Sequence, residues 1–232
     1  MLRVLRNTNK YSHSLIAFPE ATMTDRRSGS ISSRKQPQQA RSTELVAAIL
    51  EAAVQVLAKE GAQRFTTARV ADKAGVSVGS LYQYFPNKAA ILFRLQSDEW
   101  RQTFEMLRDI LEDRRDPPPQ RLRRLVHAFI QSECDEAEVR GALDDAAPLY
   151  RDAPEARAAR KAIDGTMAAF LREAAPQSSE AARVRAAELI SRTIAALGKD
   201  FSSRPRAAAE IAAYADAVAD MLCAYLKTLR RG

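Results

Sequence analysis

Between residues 66 and 88 the chain gathers hydroxyl, amide, guanidinium and ammonium groups: Thr67, Arg69, Ser80, Tyr82, Gln83, Tyr84 and Lys88. With backbone N–H groups, such side chains donate to phosphate oxygens and reach the edges of bases. Lys88 is a point charge suited to a phosphate. Val78 and Gly79 stand just ahead of Ser80, and small side chains at the start of a helix let it approach base edges closely. The group holds no nucleophile with a neighbouring histidine and no set of metal ligands. Its chemistry is recognition of a nucleic acid.

Two short helices around a tight turn would position these residues. Thr67 is placed to cap the first helix, its hydroxyl accepting from an otherwise unpaired backbone N–H. Val70, Ala71 and Ala74 recur at helical spacing as its apolar face. Gly75 sits where the chain must turn left-handed to leave that helix, a conformation that is cheap without a Cβ. Ser77 caps the second helix. Leu81 and Phe85, four apart, form its inner stripe, and Val76 closes over it from the turn. Pro86 ends it, because proline disfavours helical geometry in the residue before it, and Asn87 caps the helix that follows. Val78, Gly79, Ser80, Tyr82, Gln83 and Tyr84 then make the outer face. A helix, a turn and a second helix with an exposed polar start is how a helix-turn-helix presents its recognition helix to the major groove.

The run TTARVADKAGVSVGSLYQYFPNKAAIL, Thr66 to Leu92, resembles the DNA-binding signature of the tetracycline-repressor (TetR) family. That signature reads T-x-x-x-[IV]-A-x-x-A-G-V-S-x-G-x-[IL]-Y-x-[YH]-F-x-x-K-x-x-L, and the resemblance covers Thr43 to Leu95. It implies a homodimeric transcription regulator, most often a repressor released by a small ligand. By position it implies DNA contacts from Thr67, Arg69, Val78, Gly79, Ser80, Tyr82, Tyr84 and Lys88; Gln83 joins them from its place on the outer face. Ala68 departs from members that carry a guanine-reading arginine there, which leaves such a contact to Arg69 or to the N-terminal arm.

The 232 residues suffice for one or two domains with a proper core. Alanine and other helix formers dominate, and no long stretch alternates with period two, so the fold class is all-α. No apolar run approaches the ~18 residues of a membrane span. Two cysteines, Cys134 and Cys223, give no disulfide framework and fit a reducing, cytoplasmic setting. The net charge of +7 is concentrated at one end: residues 1–43 hold eight basic residues against two acidic, and the remainder 28 against 27. Residues 1–41 lack helical periodicity and read as a disordered basic tail. The tail is either an arm that adds phosphate or minor-groove contacts or a solubilising extension. Met23 is an alternative translation start.

Residues 42–88 form the expected DNA-binding domain and 89–232 a helical regulatory and dimerisation domain. The first helix spans about Ser42 to Glu60, with Leu45, Val46, Ile49, Leu50, Ala53, Val54 and Leu57 inward, and Gly61 ending it. Phe65 plugs the small core beneath the two reading helices. A rod of ~40 Å follows Asn87 to about Asp113 and is suited to carry a pivot between a ligand site and the reading head. Helices then follow over about Gln120–Cys134, Glu136–Tyr150 and Asp152–Ala174, the last with Gly165 inviting a close crossing or a bend. Trp100, Phe104, His127, Phe129, Tyr150, Met167 and Phe170 are candidates to line a ligand pocket, each with ordinary core packing as the alternative. His127 and Cys134 lie on similar faces, but two ligands do not fill a metal site. Glu133, Asp135 and Glu136 around Cys134 disfavour a reactive thiolate. A helix running to about Leu197, ended by Gly198, and a last helix of about 25 residues are rich in alanine. They suit a hairpin that packs on its own copy as a four-helix bundle.

The expected partners are therefore a palindromic double-stranded DNA operator, a second copy of the chain through the two C-terminal helices, and a small-molecule effector, with no membrane and no cofactor. A nonspecific DNA binder using the basic tail is the alternative. An all-α enzyme is a weaker one, since neither a phosphate loop nor a catalytic constellation is present.

Overall fold

The computed structural model describes residues 40–146 and 153–230. The described residues form nine helices and no strand: α1 Ala40–Arg64, α2 Thr67–Ala74, α3 Val78–Tyr82, α4 Lys88–Leu111, α5 Pro118–Asp135, α6 Ala137–Ala146, α7 Pro154–Ala174, α8 Glu180–Phe201 and α9 Ala208–Leu229. They divide into two compact units. One runs up to Glu99 and includes residues 138–156; the other comprises residues 100–137 and those from Arg157 onward. The basic tail expected over residues 1–41 lies almost wholly outside the described residues.

In the first unit, Val46, Ile49, Leu50, Ala53 and Leu57 line the buried side of α1, joined by Val56 in place of the expected Val54. Gly61 breaks this helix with φ 72° and ψ 171°, and helical turns resume beyond it to Arg64. The end expected there is thus the point at which helical geometry breaks, and a further short helical stretch follows it. α1 packs on α2 and α2 on α3. Phe65, Val70, Ala71, Leu81, Phe85 and Ile91 are all fully buried, which agrees with the inner stripe read from their spacing. At the far edge of this unit Arg140 of α6 pairs with Glu99 of α4 at 2.5 Å.

The second unit is a helical bundle with one continuous apolar interior drawn from the end of α4 and from α5, α7, α8 and α9. α5 packs against both α8 and α9. Gly198 does not end α8 but lies buried inside it. A Cβ at Gly198 would stand 3.0 Å from both the Phe129 ring and the Glu133 side chain of α5. The close helix approach expected at Gly165 is therefore made at Gly198, while Gly165 is exposed with open space around it. Arg121 is buried to 1% exposure. Its guanidinium bonds the Leu111 carbonyl at the end of α4 and the Glu173 carboxylate of α7, and stacks over Phe170 at 5.5 Å. A buried charge persists only when paired in this way.

Candidate nucleic-acid interface

The site is built from local signals. Thr66, one residue ahead of the expected Thr67, caps α2: its hydroxyl accepts from the Arg69 N–H at 3.3 Å. Extended geometry at Thr66 (φ −135°, ψ 150°) makes it the residue outside the helix, and Thr67 becomes the first residue within. Gly75 is left-handed at φ 68°, ψ 28°, and Val76 N–H closes on the Ala71 carbonyl at 3.0 Å. Ser77 caps α3, accepting from Ser80 N–H at 3.0 Å, and its hydroxyl also meets the Ser80 hydroxyl at 2.8 Å. Asn87 Oδ1 accepts from Ala90 N–H at 2.9 Å and starts α4.

This frame leaves Val78 and Tyr82 exposed at 39% and 40%. Gly79, Gln83 and Lys88 are exposed as well, and Thr67 and Ser80 are half-buried. Because Thr67 is freed from capping, its hydroxyl reaches the Tyr82 hydroxyl at 3.1 Å and joins the start of α2 to the end of α3. Tyr84 corrects the expected outer face. α3 stops at Tyr82, and the chain turns through Gln83, where Tyr84 N–H bonds the Leu81 carbonyl at 3.0 Å. The turn carries Tyr84 inward to 5% exposure, so it does not continue the outward row. Arg69, half exposed, is not free: it pairs with Glu60 and donates to the Arg64 carbonyl at 3.1 Å. Glu60 went unnoticed in the sequence. The pair spans nine residues and a helix break, so no helical periodicity connects them.

Of the residues expected to line a ligand pocket, Met167, Phe170 and Phe129 share one apolar cluster. Met167 and Phe170 are buried in the second unit's packed interior, and Phe129 lies over Gly198. Trp100 and Phe104 are half-buried, with Arg108 over the Phe104 ring at 5.7 Å. Tyr150 lies outside the described residues. His127 lines an open cavity of about 510 Å³ with Ile110, Asp116, Gln120, Arg123, Arg124 and Ala128. Its Nε2 meets Asp216 at 3.0 Å, Arg123 bonds both Asp216 and Asp220, and Arg124 bonds Asp113 and Asp116. The cavity's cations are thus already matched by carboxylates. Among the described residues no three His, Cys, Asp or Glu side chains group as metal ligands. Burial, then the Asp135 charge, pushes the Cys134 thiol up against a smaller opposing pull from Arg206. Burial likewise raises the Cys223 thiol.

Residues 49–95 match the family described as "Bacterial regulatory proteins, tetR family", and residues 117–229 match "Tetracyclin repressor-like, C-terminal domain". The chain belongs to the TetR family. The two matches cover the helix-turn-helix and most of the second unit. Over 66 residues the chain is 33% identical to the fatty acid metabolism regulator protein of Bacillus subtilis, covering 28% of this chain and 34% of that one. Over 69 residues it is 41% identical to the nucleoid occlusion factor SlmA of Aliivibrio fischeri, covering 29% and 35%. The chain thus spans about a third of the length of these curated relatives. The solved structure of the fatty acid degradation regulator FadR from Bacillus halodurans superposes with a TM-score of 0.63 at 18% identity, over 81% of this chain and 97% of that one. Like this TetR-family chain, it has the fold; at that identity the likeness extends no further. No described helix is long and apolar enough to cross a membrane.

Proposed function

We propose that the protein is a homodimeric transcriptional repressor of the cytoplasm that holds a palindromic operator and releases it on binding a small molecule. The observation that carries this reading is the exposed face of α3, where Val78, Gly79 and a Tyr82 hydroxyl set against Thr67 stand on a frame of capped helices. The recognition helix enters a major groove. Thr67, Ser80, Tyr82, Gln83 and Lys88 contact phosphates and base edges, and the domain spanning residues 42–88 does the reading. Tyr84 acts from beneath, as packing.

The second copy docks on α8 and α9. Ala209, Ala213, Ala217 and Met221 recur every four residues along the exposed side of α9, and Val184 and Leu189 of α8 are 54% and 49% exposed. A small-residue ladder of this kind suits close helix packing across a two-fold axis. The effector binds within residues 89–232. The cavity beside His127 falls within the volume range of ligand pockets.

Replacing Tyr82 with alanine removes the exposed ring and its hydroxyl while leaving the buried stripe of α3 untouched. The expected outcome is a tenfold or greater loss of operator affinity, about 1.4 kcal/mol or more, in a domain that remains folded. Wild-type affinity in Tyr82→Ala would refute the docking face. Titrating a small-molecule panel into the DNA complex identifies the effector, and a panel that never releases the DNA contradicts the ligand-responsive half of the reading.

A further inference from the structure

Arg69 is the third residue of α2, in the same first turn as Thr67. Its guanidinium is turned back onto the end of α1, where Glu60 lies just before the Gly61 kink and the Arg64 carbonyl just after it. The kink therefore brings two acceptors to one guanidinium. A cation in the first turn of a helix opposes the helix dipole, and the Glu60 carboxylate offsets this. The arrangement is still open to solvent, with side-chain exposures of 49% for Arg69 and 28% for Glu60. A phosphate can thus reach the guanidinium, whose Nη1 makes both of these bonds, and compete there with the carboxylate through a charge-assisted hydrogen bond.

We propose that Glu60 is an intramolecular competitor of DNA phosphate for Arg69. In the free chain Glu60 holds the guanidinium. On DNA a backbone phosphate takes the carboxylate's place, the Arg64 carbonyl keeps its bond, and Glu60 is released to solvent. Glu60 is thus a positioning residue. It lowers affinity for DNA of any sequence, because Arg69 adds its phosphate contact only after the ion pair opens. On a specific operator, where neighbouring contacts hold the phosphate in register, the exchange is completed, and the cost of opening the ion pair is met there by those contacts. The inference rests on the reading of the α2–α3 face as the DNA-contacting surface.

The test is a double-mutant cycle on the full chain: wild type, Glu60→Gln, Arg69→Gln and the double variant, binding a random-sequence duplex of about 24 base pairs across a salt series. Glu60→Gln should tighten binding roughly three- to tenfold and steepen the log–log salt slope by about 0.9, the increment for one added phosphate contact. In the Arg69→Gln background the same substitution should change affinity by less than about twofold, the residue of a general charge effect screened over a Debye length. Glu60→Asp keeps the charge but shortens the reach, and should recover part of the gain. An equal gain in both Arg69 backgrounds would overturn the proposal, as would no gain in the native one. Tyr82→Ala is carried through the same assay. If it weakens binding while the cycle shows no coupling, only the role of Glu60 fails; if it binds as wild type does, the docking face fails with it.

Discussion

Asp113 sits in the turn between α4 and α5 with guanidinium groups on both oxygens. Arg115 donates to Oδ1 at 2.7 Å and to Oδ2 at 2.8 Å, and Arg124 of α5 donates to Oδ2 at 3.0 Å. The Arg115 bonds first, then Arg124, hold its carboxyl well below the usual carboxylate range. A group whose pKa is lowered on folding contributes stability that is complete above its unfolded value, near 3.8. That stability is lost as pH falls through the folded value. Asp113→Asn should therefore be less stable than wild type in urea melts at pH 6, and the gap should narrow as pH drops below about 4. A gap that is constant with pH would mean that the carboxylate charge is not what these arginines bind. At this scale the sequence was legible where partners are near neighbours, as with Ser77 and Asn87, each capping from three residues away. It was not legible where they are remote. His127 and Asp216 are 89 residues apart, and nothing in either segment announces the other.

Helices supply the next level, and two glycines show what a sequence conveys about them. Gly75 was legible because a left-handed C-cap leaves its mark within a few residues: an apolar face ends, and Ser77 begins another helix. Gly198 was misread because a glycine that ends a helix and a glycine that admits another helix look the same along the chain. The Phe129 ring that selects it comes from α5. Tyr84 failed for a related reason, since α3 ends at Tyr82 and a helical row projected past that point turns the side chain the wrong way. The contrast between the glycines is measurable. Gly198→Leu should lower stability by about 1–3 kcal/mol through overpacking against Phe129 and Glu133. Gly165→Ala, helical and facing open space, should raise it by roughly 0.5–1 kcal/mol. Thermal melts of both variants check the pair, and equal effects would contradict the packing described at α5 and α8.

Across the whole molecule, an all-α chain with a helix-turn-helix near its N-terminal end was readable from composition, periodicity and one dense motif. The ligand half was not. A pocket is what packing leaves over, and Met167 and Phe170, buried in one apolar cluster, carry the same apolar signal whether they face a ligand or other side chains. One open cavity among the described residues is lined by Arg123, Arg124 and Gln120 beside His127, polar residues that resemble a solvated helix face in sequence. The positive charge is concentrated in residues 1–43, and a basic arm that touches phosphates would raise affinity for DNA of any sequence. Tail and recognition helix give different results only when specific and scrambled DNA are compared as salt rises. The most direct measurement is binding of the full chain to duplex DNA from just upstream of its own gene, against a scrambled duplex of equal length, from low salt to about 0.15 M. A reading recognition helix should give a preference of roughly a thousandfold or more that survives at the higher salt, with two chains on each specific duplex. Equal affinity for both duplexes, collapsing together as salt rises, or a single chain per duplex, would contradict it.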